Sequence, residues 1–353
     1  MHTGRLIMSD LEKLKEYTER QFFRDALGVP EGAQVELKDL AQGEYHRNFL
    51  ISFPTKYGNG SAAPVPDRKL VLRVNYGSQM HLLHQIEYEY QALKALEPSG
   101  RTPRPVFVDG SRKYFPQGIL VMGFLPGRPL DYDRDMAEAA KALADIHSTP
   151  VPDPSFLVTG ESPIHDILDE CRDMFAVYEA SELCDPRTAA RIRPMMVLAR
   201  RKADSLTDRS WQRVLINTEL NNHNFIVDES GDVSVIDWEK PLWGDPAQDL
   251  GHMLAPTTTY WKTDKILTFE EAAQFADQYA EAAGSRIRLG RFLERLRTFL
   301  QVTCMRGVTW CSMAWVEYNR PGRELRNEYT YKKLKSYLSP DFLDALEDYM
   351  RSE

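Results

Sequence analysis

Long apolar runs are absent from this sequence. No stretch approaches the ~20 continuous apolar residues that a membrane-spanning helix needs. The opening residues, MHTGRLIMSDLEKLKEY, lack the apolar core of a secretory signal. We therefore expect a cytoplasmic protein without a membrane partner.

Cysteine is also scarce, and acidic residues outnumber basic ones. The net charge is −8 and the pI is near 5.6, which argues against general nucleic-acid binding and is compatible with a cationic ligand. The cysteines show no CxxC spacing, so a disulfide framework or zinc site is not expected. These thiols, predicted to be dispersed and buried, are Cys171, Cys184, Cys304 and Cys311.

The chain changes character along its length. With 353 residues it is too long for one compact core of the usual size, so two domains are the default. Extended patterns dominate the first part, at 35–40, 69–75 and 118–124, and a helical pattern at 80–96 lies between them. Residues 1–123 are accordingly predicted to form a sheet-rich domain.

Helical patterns dominate residues 124–353. One interruption, FIVDESGDVSVIDW, reads as two short strands around a turn that contains a glycine. The predicted fold class is therefore α+β, with one hairpin inside the helical part. The predicted helices lie at 135–147, 164–180, 187–206, 270–283, 286–318 and 340–350.

The segment around this hairpin carries the strongest functional signal. Glu219 is followed by Asn224, and Asp237 ends the apolar run VSVI. Phosphoryl transfer needs a carboxylate near the acceptor hydroxyl and oxygen ligands that hold magnesium on the nucleotide phosphates. Glu219, Asn224 and Asp237 have a spacing that suits those tasks, although an acidic hairpin without function is the alternative.

Three pieces of this segment resemble the aminoglycoside phosphotransferase and choline kinase family, which are small-molecule relatives of protein kinases. NTELNNHN stands where the family has H-G-D-x-x-x-x-N, and VIDWE and GDPAQDL match its two later motifs closely. Further pieces earlier in the chain, from LAQGEYHRNFLISF to ALADIHS, also resemble segments of the family and occur in the family's order. With them, the resemblance covers about residues 35–255.

The resemblance implies a two-lobed protein-kinase-like fold and a set of nucleotide-binding residues. Gly43 corresponds to the loop that covers the nucleotide, and Arg73 to the cation on its phosphates, oriented by Glu89. The backbone of Leu120–Phe124, including Met122, corresponds to the strand that meets the adenine. Gly43 alone is weak evidence, since a plain hairpin glycine is nearly as good a reading.

The catalytic loop departs from the family pattern. Asn217 replaces the family's His, Thr218 its Gly, and Glu219 its catalytic Asp. Glu keeps the charge but is one methylene longer, which moves the carboxylate by ~1.5 Å on a fixed backbone, and a 1 Å displacement can cost ~100-fold in rate. The changed loop leaves two alternatives to a kinase open: a pseudokinase that only binds nucleotide, and a kinase-like nucleotidyltransferase.

Other polar residues of the region receive mainly structural roles. Asp249 is expected to accept hydrogen bonds from the backbone of the catalytic loop, and Asp245 to cap a helix. Glu239 is left open between a structural role and contact with the acceptor. His147 and His223 have no second metal ligand at useful spacing and are expected to be structural.

The resemblance implies an acceptor that is a small molecule with a hydroxyl, because the long activation segment that protein kinases use for peptides does not follow Asp237. Trp310 and Trp315 lie on a predicted helix beside Glu317, and aromatic faces with an acid suit a cationic amine. The alternative is that both tryptophans belong to the core. The expected cofactors are ATP and Mg²⁺, with GTP and the identity of the acceptor left open among amines, aminoglycosides, other antibiotics, sugars and nucleosides.

Overall fold

The computed structural model describes residues 7–54, 68–320 and 327–352. The chain forms two compact units. The first unit contains Met1–Arg128, Thr149–Leu157 and Ile226–Pro241, and the second contains the remaining residues. None of the helices within the described residues is long and apolar enough to cross a membrane.

An antiparallel five-stranded sheet forms the centre of the first unit, in the order β1-β2-β3-β5-β4. The inward-facing side chains of β2 and β3, such as Phe49, Ile51, Leu72 and Val74, are buried in one apolar core. The elements are α1 (Ile7–Thr18), α2 (Gln21–Leu27), β1 (Glu36–Gln42), β2 (His46–Phe53), β3 (Arg68–Asn75), α3 (Gln85–Leu96), β4 (Pro105–Asp109) and β5 (Gly118–Gly123).

Helix α3 begins later than the pattern at 80–96 predicts. His81 has a φ of +56°, which a right-handed helix does not accommodate, and its N–H donates to the Ser78 carbonyl in a turn. Leu83, which fits the helical spacing, is 78% exposed. The helix therefore starts at Gln85, and the prediction for its first turn is wrong.

The predicted hairpin is present. Strands β8 (Phe225–Val227) and β9 (Val233–Val235) form a three-stranded sheet with β6 (Arg128–Pro129). Gly231 provides the positive φ of +90° that the turn needs. The Val235 N–H donates to the Arg101 carbonyl at 2.8 Å, so the second strand is tied to the first unit.

Helices make up most of the second unit, together with the paired strands β7 (Val214–Ile216) and β10 (Leu242–Gly244). The helices predicted near 136, 163, 186, 269 and 340 are confirmed. The helices are α4 (Met136–His147), α5 (Pro163–Glu179), α6 (Pro186–Ser205), α7 (Pro246–Leu254), α8 (Pro256–Thr263), α9 (Phe269–Ala283), α10 (Phe292–Tyr318), α11 (Glu328–Tyr337) and α12 (Pro340–Arg351).

Helix α10 starts at Phe292 rather than at 286. Gly290 has a φ of +59°, and a Cβ there would lie 2.6 Å from Ser210 Oγ. The next N–H, of Arg291, donates to Asp208 Oδ2 at 2.8 Å. This turn holds the chain outside the helix, so the predicted start is wrong. The cysteines are free thiols, and Cys171, Cys304 and Cys311 are buried; Cys184 is only partly buried, so the prediction of burial is wrong for that residue.

Candidate active site

Arg73 lies on the central strand β3 and is buried in the first unit. Its Nη1 donates to Glu89 Oε1 of α3 at 2.6 Å, and its Nε donates to Asn48 Oδ1 at 3.1 Å. Burial alone would lower the pKa of the guanidinium, but Glu89 and Asp237 outweigh it and raise that pKa above its ordinary value. Arg73 is thus a fixed cation, and the structure brings it to the helix carboxylate that the sequence predicts.

Asp237 joins the same network. Arg73 Nη1 also donates to Asp237 Oδ1, at 3.0 Å. Asp237 follows β9 with a φ of +64°, a left-handed conformation that Asp adopts more readily than most residues. The next side chain, Trp238, is buried, and its Nε1 donates to the Val235 carbonyl at 3.0 Å. This anchor fixes the backbone that carries the Asp237 carboxylate.

Glu239 contacts a histidine that sequence reasoning missed. His46 Nδ1 lies 3.0 Å from Glu239 Oε2, and Gln85 Nε2 donates to the Glu239 carbonyl at 2.7 Å. His46 is the first residue of β2 and is 7% exposed. Glu239 is therefore engaged within the first unit. Nothing in the local sequence around His46 points to a partner nearly two hundred residues away.

Gly43 lies in the turn between β1 and β2. Its N–H donates to the His46 carbonyl at 2.9 Å, and a Cβ on Gly43 would lie 2.7 Å from Cε1 of the His46 ring. Only glycine leaves room for this close approach. Met122 lies on the buried strand β5, where it pairs with Val71 of β3.

The catalytic loop, residues 217–224, follows β7 in the second unit. Asp249 of α7 accepts hydrogen bonds from the Asn217 N–H at 2.7 Å and from the Thr218 N–H at 2.6 Å, as predicted. Asp249 is fully buried and also contacts His147 Nε2 at 3.2 Å. His147 is therefore structural, and this buried acid holds the start of the loop.

Side chains within the loop position Glu219. The Asn217 side chain accepts a hydrogen bond of 3.1 Å from the Glu219 N–H, as expected. Asn224 Nδ2 donates to the Glu219 carbonyl at 2.9 Å. Glu219 and Asn224 are both half-buried. The side chain of Asn224, a candidate metal ligand, is thus bonded to the backbone of Glu219, the candidate catalytic residue.

Two basic side chains near Glu219, Arg306 and His252, were not found from the sequence. The carboxylates of Glu170 and Glu219 outweigh burial and raise the pKa of Arg306, whose Nε donates to Glu170 Oε2 at 3.0 Å. His252 Nδ1 contacts the Leu220 carbonyl at 2.9 Å, and desolvation within the fold lowers its pKa. Arg306 precedes Trp310 by one helical turn, which is the signal that could have identified it.

Trp310 and Trp315 are not core residues. Trp310 is 40% exposed and lies edge-on to Trp261 of α8, with ring centroids 5.6 Å apart. Trp315 is half-buried and stacks on Tyr331 of α11 at 5.4 Å. The two indoles are five positions apart on α10, so they face directions about 140° apart around the helix and pack on different neighbouring helices.

Asp245 has the helix-capping role that the sequence predicts. Asp245 caps α7 by accepting from the Ala247 N–H at 2.9 Å, and its carboxylate is held by Arg295 Nε at 2.6 Å. His223 is exposed at the end of the loop, where desolvation lowers its pKa.

Residues 37–298 match the model of the phosphotransferase enzyme family. Because this match spans well over half of the chain, the protein belongs to that family. No curated protein sequence matches the chain significantly.

Solved structures of small-molecule kinases share the fold. Spectinomycin phosphotransferase, crystallised with ADP and spectinomycin, is 14% identical, with 94% of this chain and 98% of that chain covered and a TM-score of 0.61. A putative aminoglycoside phosphotransferase from Ralstonia eutropha is 14% identical, with coverage of 97% and 98% and a TM-score of 0.64. Choline kinase from Cryptosporidium parvum is 14% identical, with coverage of 96% and 97% and a TM-score of 0.61. The predicted protein-kinase-like fold is thereby confirmed.

Proposed function

We propose that this protein transfers the terminal phosphate of ATP to a hydroxyl group of a small molecule, with GTP as the alternative donor. The observation that carries the proposal is the contact of Arg73 Nη1 with both Glu89 and Asp237. A buried guanidinium between a helix carboxylate and the acid after the hairpin is what a phosphate-binding cation needs for fixed orientation.

The nucleotide-binding roles follow from the first unit. Arg73 offers its planar donors to the phosphate oxygens and Glu89 fixes their direction. Gly43 lets the β1–β2 turn approach the phosphates closely, and the backbone at Met122 meets the adenine. The solved structure of spectinomycin phosphotransferase contains ADP, which supports a nucleotide site in this fold.

Asp237 and Asn224 fit the role of magnesium ligands. Both side chains offer hard oxygen atoms, which Mg²⁺ prefers. The Asn224 amide nitrogen donates to the Glu219 carbonyl, which is consistent with metal binding through the amide oxygen Oδ1. Magnesium, when bound, neutralises charge on the phosphate oxygens. A solved amicoumacin kinase contains AMP-PNP and Ca²⁺, which supports a divalent ion beside the nucleotide.

Glu219 acts on the acceptor. Its carboxylate accepts the proton of the acceptor hydroxyl as that oxygen forms a bond to the terminal phosphorus. The bond from this phosphorus to the bridging oxygen breaks, and the nucleoside diphosphate leaves. Asn217 and Asn224 hold the Glu219 backbone on either side, so the longer side chain projects from a defined position.

We assign the acceptor to the side of α10 that carries Trp310. Trp310 presents an exposed indole face, and the exposed Glu317, seven positions further along α10, lies on the same side of the helix, whereas Trp315 faces elsewhere. Indole faces bind organic cations, so a cationic amine or aminoglycoside is the proposed acceptor class. Solved relatives in fold include kinases of spectinomycin and choline. The Glu239 carboxylate contacts His46, so Glu239 is not included among the proposed acceptor-binding residues.

Calorimetric titration with ATP, with and without Mg²⁺, tests the nucleotide site. We expect magnesium-dependent binding by the native chain and a loss of at least about tenfold in the Asp237→Asn variant. Asp232→Asn is the matched control, because Asp232 is an exposed acid of the same hairpin. Unchanged magnesium-dependent affinity in Asp237→Asn would remove Asp237 from the metal site.

A further inference from the structure

Three ligand-type side chains meet in the first unit. The ligand atoms of His46, Asp237 and Glu239 lie within 4.8 Å of one another. Across residues 7–54, 68–320 and 327–352, no other group of three His, Cys, Asp or Glu side chains comes this close. His46 comes from β2, while Asp237 and Glu239 come from the segment after β9. The cluster therefore depends on tertiary structure and not on a local sequence motif.

The cluster is held in place by its surroundings. His46 is 7% exposed, and its ring lies against the Gly43 backbone, where even a methyl group would collide with it. The Glu239 backbone is fixed by Gln85 of α3, and the Asp237 carboxylate by Arg73. Pre-organised ligands lower the ordering cost of binding an ion.

The distances suit a metal ion. Two ligands ~2.1 Å from an ion at a right angle are ~3.0 Å apart. His46 Nδ1 and Glu239 Oε2 have that separation, 3.0 Å. The third ligand atom, from Asp237, lies within 4.8 Å of both. A direct hydrogen bond between His46 and Glu239 has the same length, so the charge and the ligand types must distinguish a metal-ligand pair from a hydrogen bond.

The charge of the cluster favours a cation. Glu89, Asp237 and Glu239 all act on Arg73 and raise its pKa. Three carboxylates thus surround one guanidinium, and a divalent ion would add positive charge where the carboxylates meet. A carboxylate has two oxygens, so Asp237 can contact Arg73 and an ion together.

The ligand types select the ion. Magnesium prefers oxygen ligands only, whereas an imidazole nitrogen favours transition metals. We propose that His46, Asp237 and Glu239 bind one divalent transition-metal ion, Mn²⁺ or Zn²⁺ in preference to Mg²⁺, in the nucleotide-free protein. The proposal deepens the proposed function because Asp237 belongs to both sites. The transition-metal site is proposed for the nucleotide-free protein. The metal-site proposal and the proposed phosphotransferase function can therefore fail independently.

Electron paramagnetic resonance of Mn²⁺ titrated into the full nucleotide-free chain tests this site. We expect one bound ion per chain that Zn²⁺ displaces and that an equal concentration of Mg²⁺ leaves in place. His46→Asn retains a donor at the position of Nδ1 for Glu239 but removes the imidazole. It should weaken Mn²⁺ binding by at least about tenfold.

The control variant is His84→Asn. His84 belongs to the same unit but is exposed, with its Nδ1 3.6 Å from Glu87, and lies outside the cluster. Mn²⁺ affinity should be unchanged in this variant. No Mn²⁺ binding, equal affinity in His46→Asn and the native chain, or displacement by equimolar Mg²⁺ would each overturn the proposal.

A spectroscopic measurement on the native chain avoids any folding defect of the variant. Pulsed resonance of bound Mn²⁺ should show coupling to an imidazole ¹⁴N nucleus. Bound Mn²⁺ with oxygen ligands only would contradict the role of His46 and leave a plain hydrogen bond to Glu239 as the explanation of the contact.

Discussion

The backbone N–H of Thr218 donates a hydrogen bond of 2.6 Å to Oδ1 of Asp249. Thr218 makes this bond with a φ of +75°, a left-handed conformation that is unusual for a β-branched residue. The cost of that conformation is about 1–2 kcal/mol. The buried acid therefore holds the start of the catalytic loop in a conformation that glycine would adopt without strain.

We predict that Thr218→Gly is more stable than Thr218→Ala by about 1 kcal/mol, because Ala keeps a Cβ at positive φ. The comparison removes the hydroxyl from both variants and isolates the backbone effect. The expected difference in Tm is roughly 1–2 °C in thermal unfolding monitored by circular dichroism.

A position with right-handed backbone provides the control for this pair. Ala176 is exposed in helix α5, where Ala176→Gly should lower stability by about 0.8–1 kcal/mol. Equal stability of the two Thr218 variants, or a more stable alanine variant, would contradict the assigned backbone strain.

The Arg73–Glu89 pair predicts strong non-additivity. Their side chains are 5% and 2% exposed, so Arg73→Met leaves the Glu89 carboxylate buried without a cation, whereas Glu89→Leu leaves Arg73 with Asp237 as its remaining partner. Arg73→Met should lose about 3–5 kcal/mol and Glu89→Leu less, while the double variant recovers much of the Arg73→Met loss. Nucleotide binding should be absent from Arg73→Met and from the double variant.

Urea unfolding of the four proteins measures this coupling. A loss below about 1 kcal/mol in Arg73→Met, or losses that simply add in the double variant, would be inconsistent with a buried pair.

His252 predicts a pH dependence of stability. Desolvation within the fold lowers the pKa of His252 below its ordinary value of 6.5, so the folded protein binds this proton less readily than the unfolded chain. As the pH falls below 6.5, proton uptake therefore favours unfolding, by at most about 1.4 kcal/mol per pH unit. Stability from this residue is present above that pH and is lost below it.

The variant His252→Asn keeps a donor for the Leu220 carbonyl but does not titrate. We expect the native chain to lose more Tm than this variant between pH 7 and about pH 5. Parallel loss of Tm in both proteins would show that His252 does not contribute to the acid sensitivity.

Trp310 predicts an effect on acceptor binding alone. For an amine acceptor identified by transfer assay, Trp310→Ala should raise KM by roughly 2- to 30-fold, the equivalent of a lost cation–π contact of ~0.5–2 kcal/mol. The kcat value should change little, because the contact is made equally in the ground and transition states. Trp310→Phe keeps an aromatic face and should lie between. An unchanged KM in Trp310→Ala would place the acceptor elsewhere.

Local patterns and ordered motifs made much of the fold and one part of the site predictable. The glycine at position 231 predicts the turn of the hairpin, because glycine adopts positive φ readily. The hydrogen bonds from the loop to Asp249 follow from the match of GDPAQDL to the family. The strands of the first sheet show clear apolar patterns. These features depend on residues that are near in sequence or on motifs whose order is kept.

Contacts between distant segments were not predictable. His46 and Glu239 are separated by 193 positions, and no pairing rule connects an imidazole in β2 with an acid after β9. Arg306 and His252 approach Glu219 only because α7 and α10 pack in the second unit. The starts of α3 and α10 were predicted wrongly because apolar spacing does not report the positive φ of His81 and Gly290.

Phosphate transfer from ATP and Mg²⁺, screened against amines, aminoglycosides, sugars and nucleosides, tests the central claim most directly. The native chain should transfer phosphate to one acceptor class, and Glu219→Gln should lose transfer while keeping its affinity for ATP. ATP binding without transfer to any acceptor in the screen would favour the pseudokinase alternative. Transfer of a nucleotidyl group would favour the kinase-like nucleotidyltransferase. Full transfer activity in Glu219→Gln would contradict the assigned role of Glu219, and absence of magnesium-dependent ATP and GTP binding would contradict the proposed function itself.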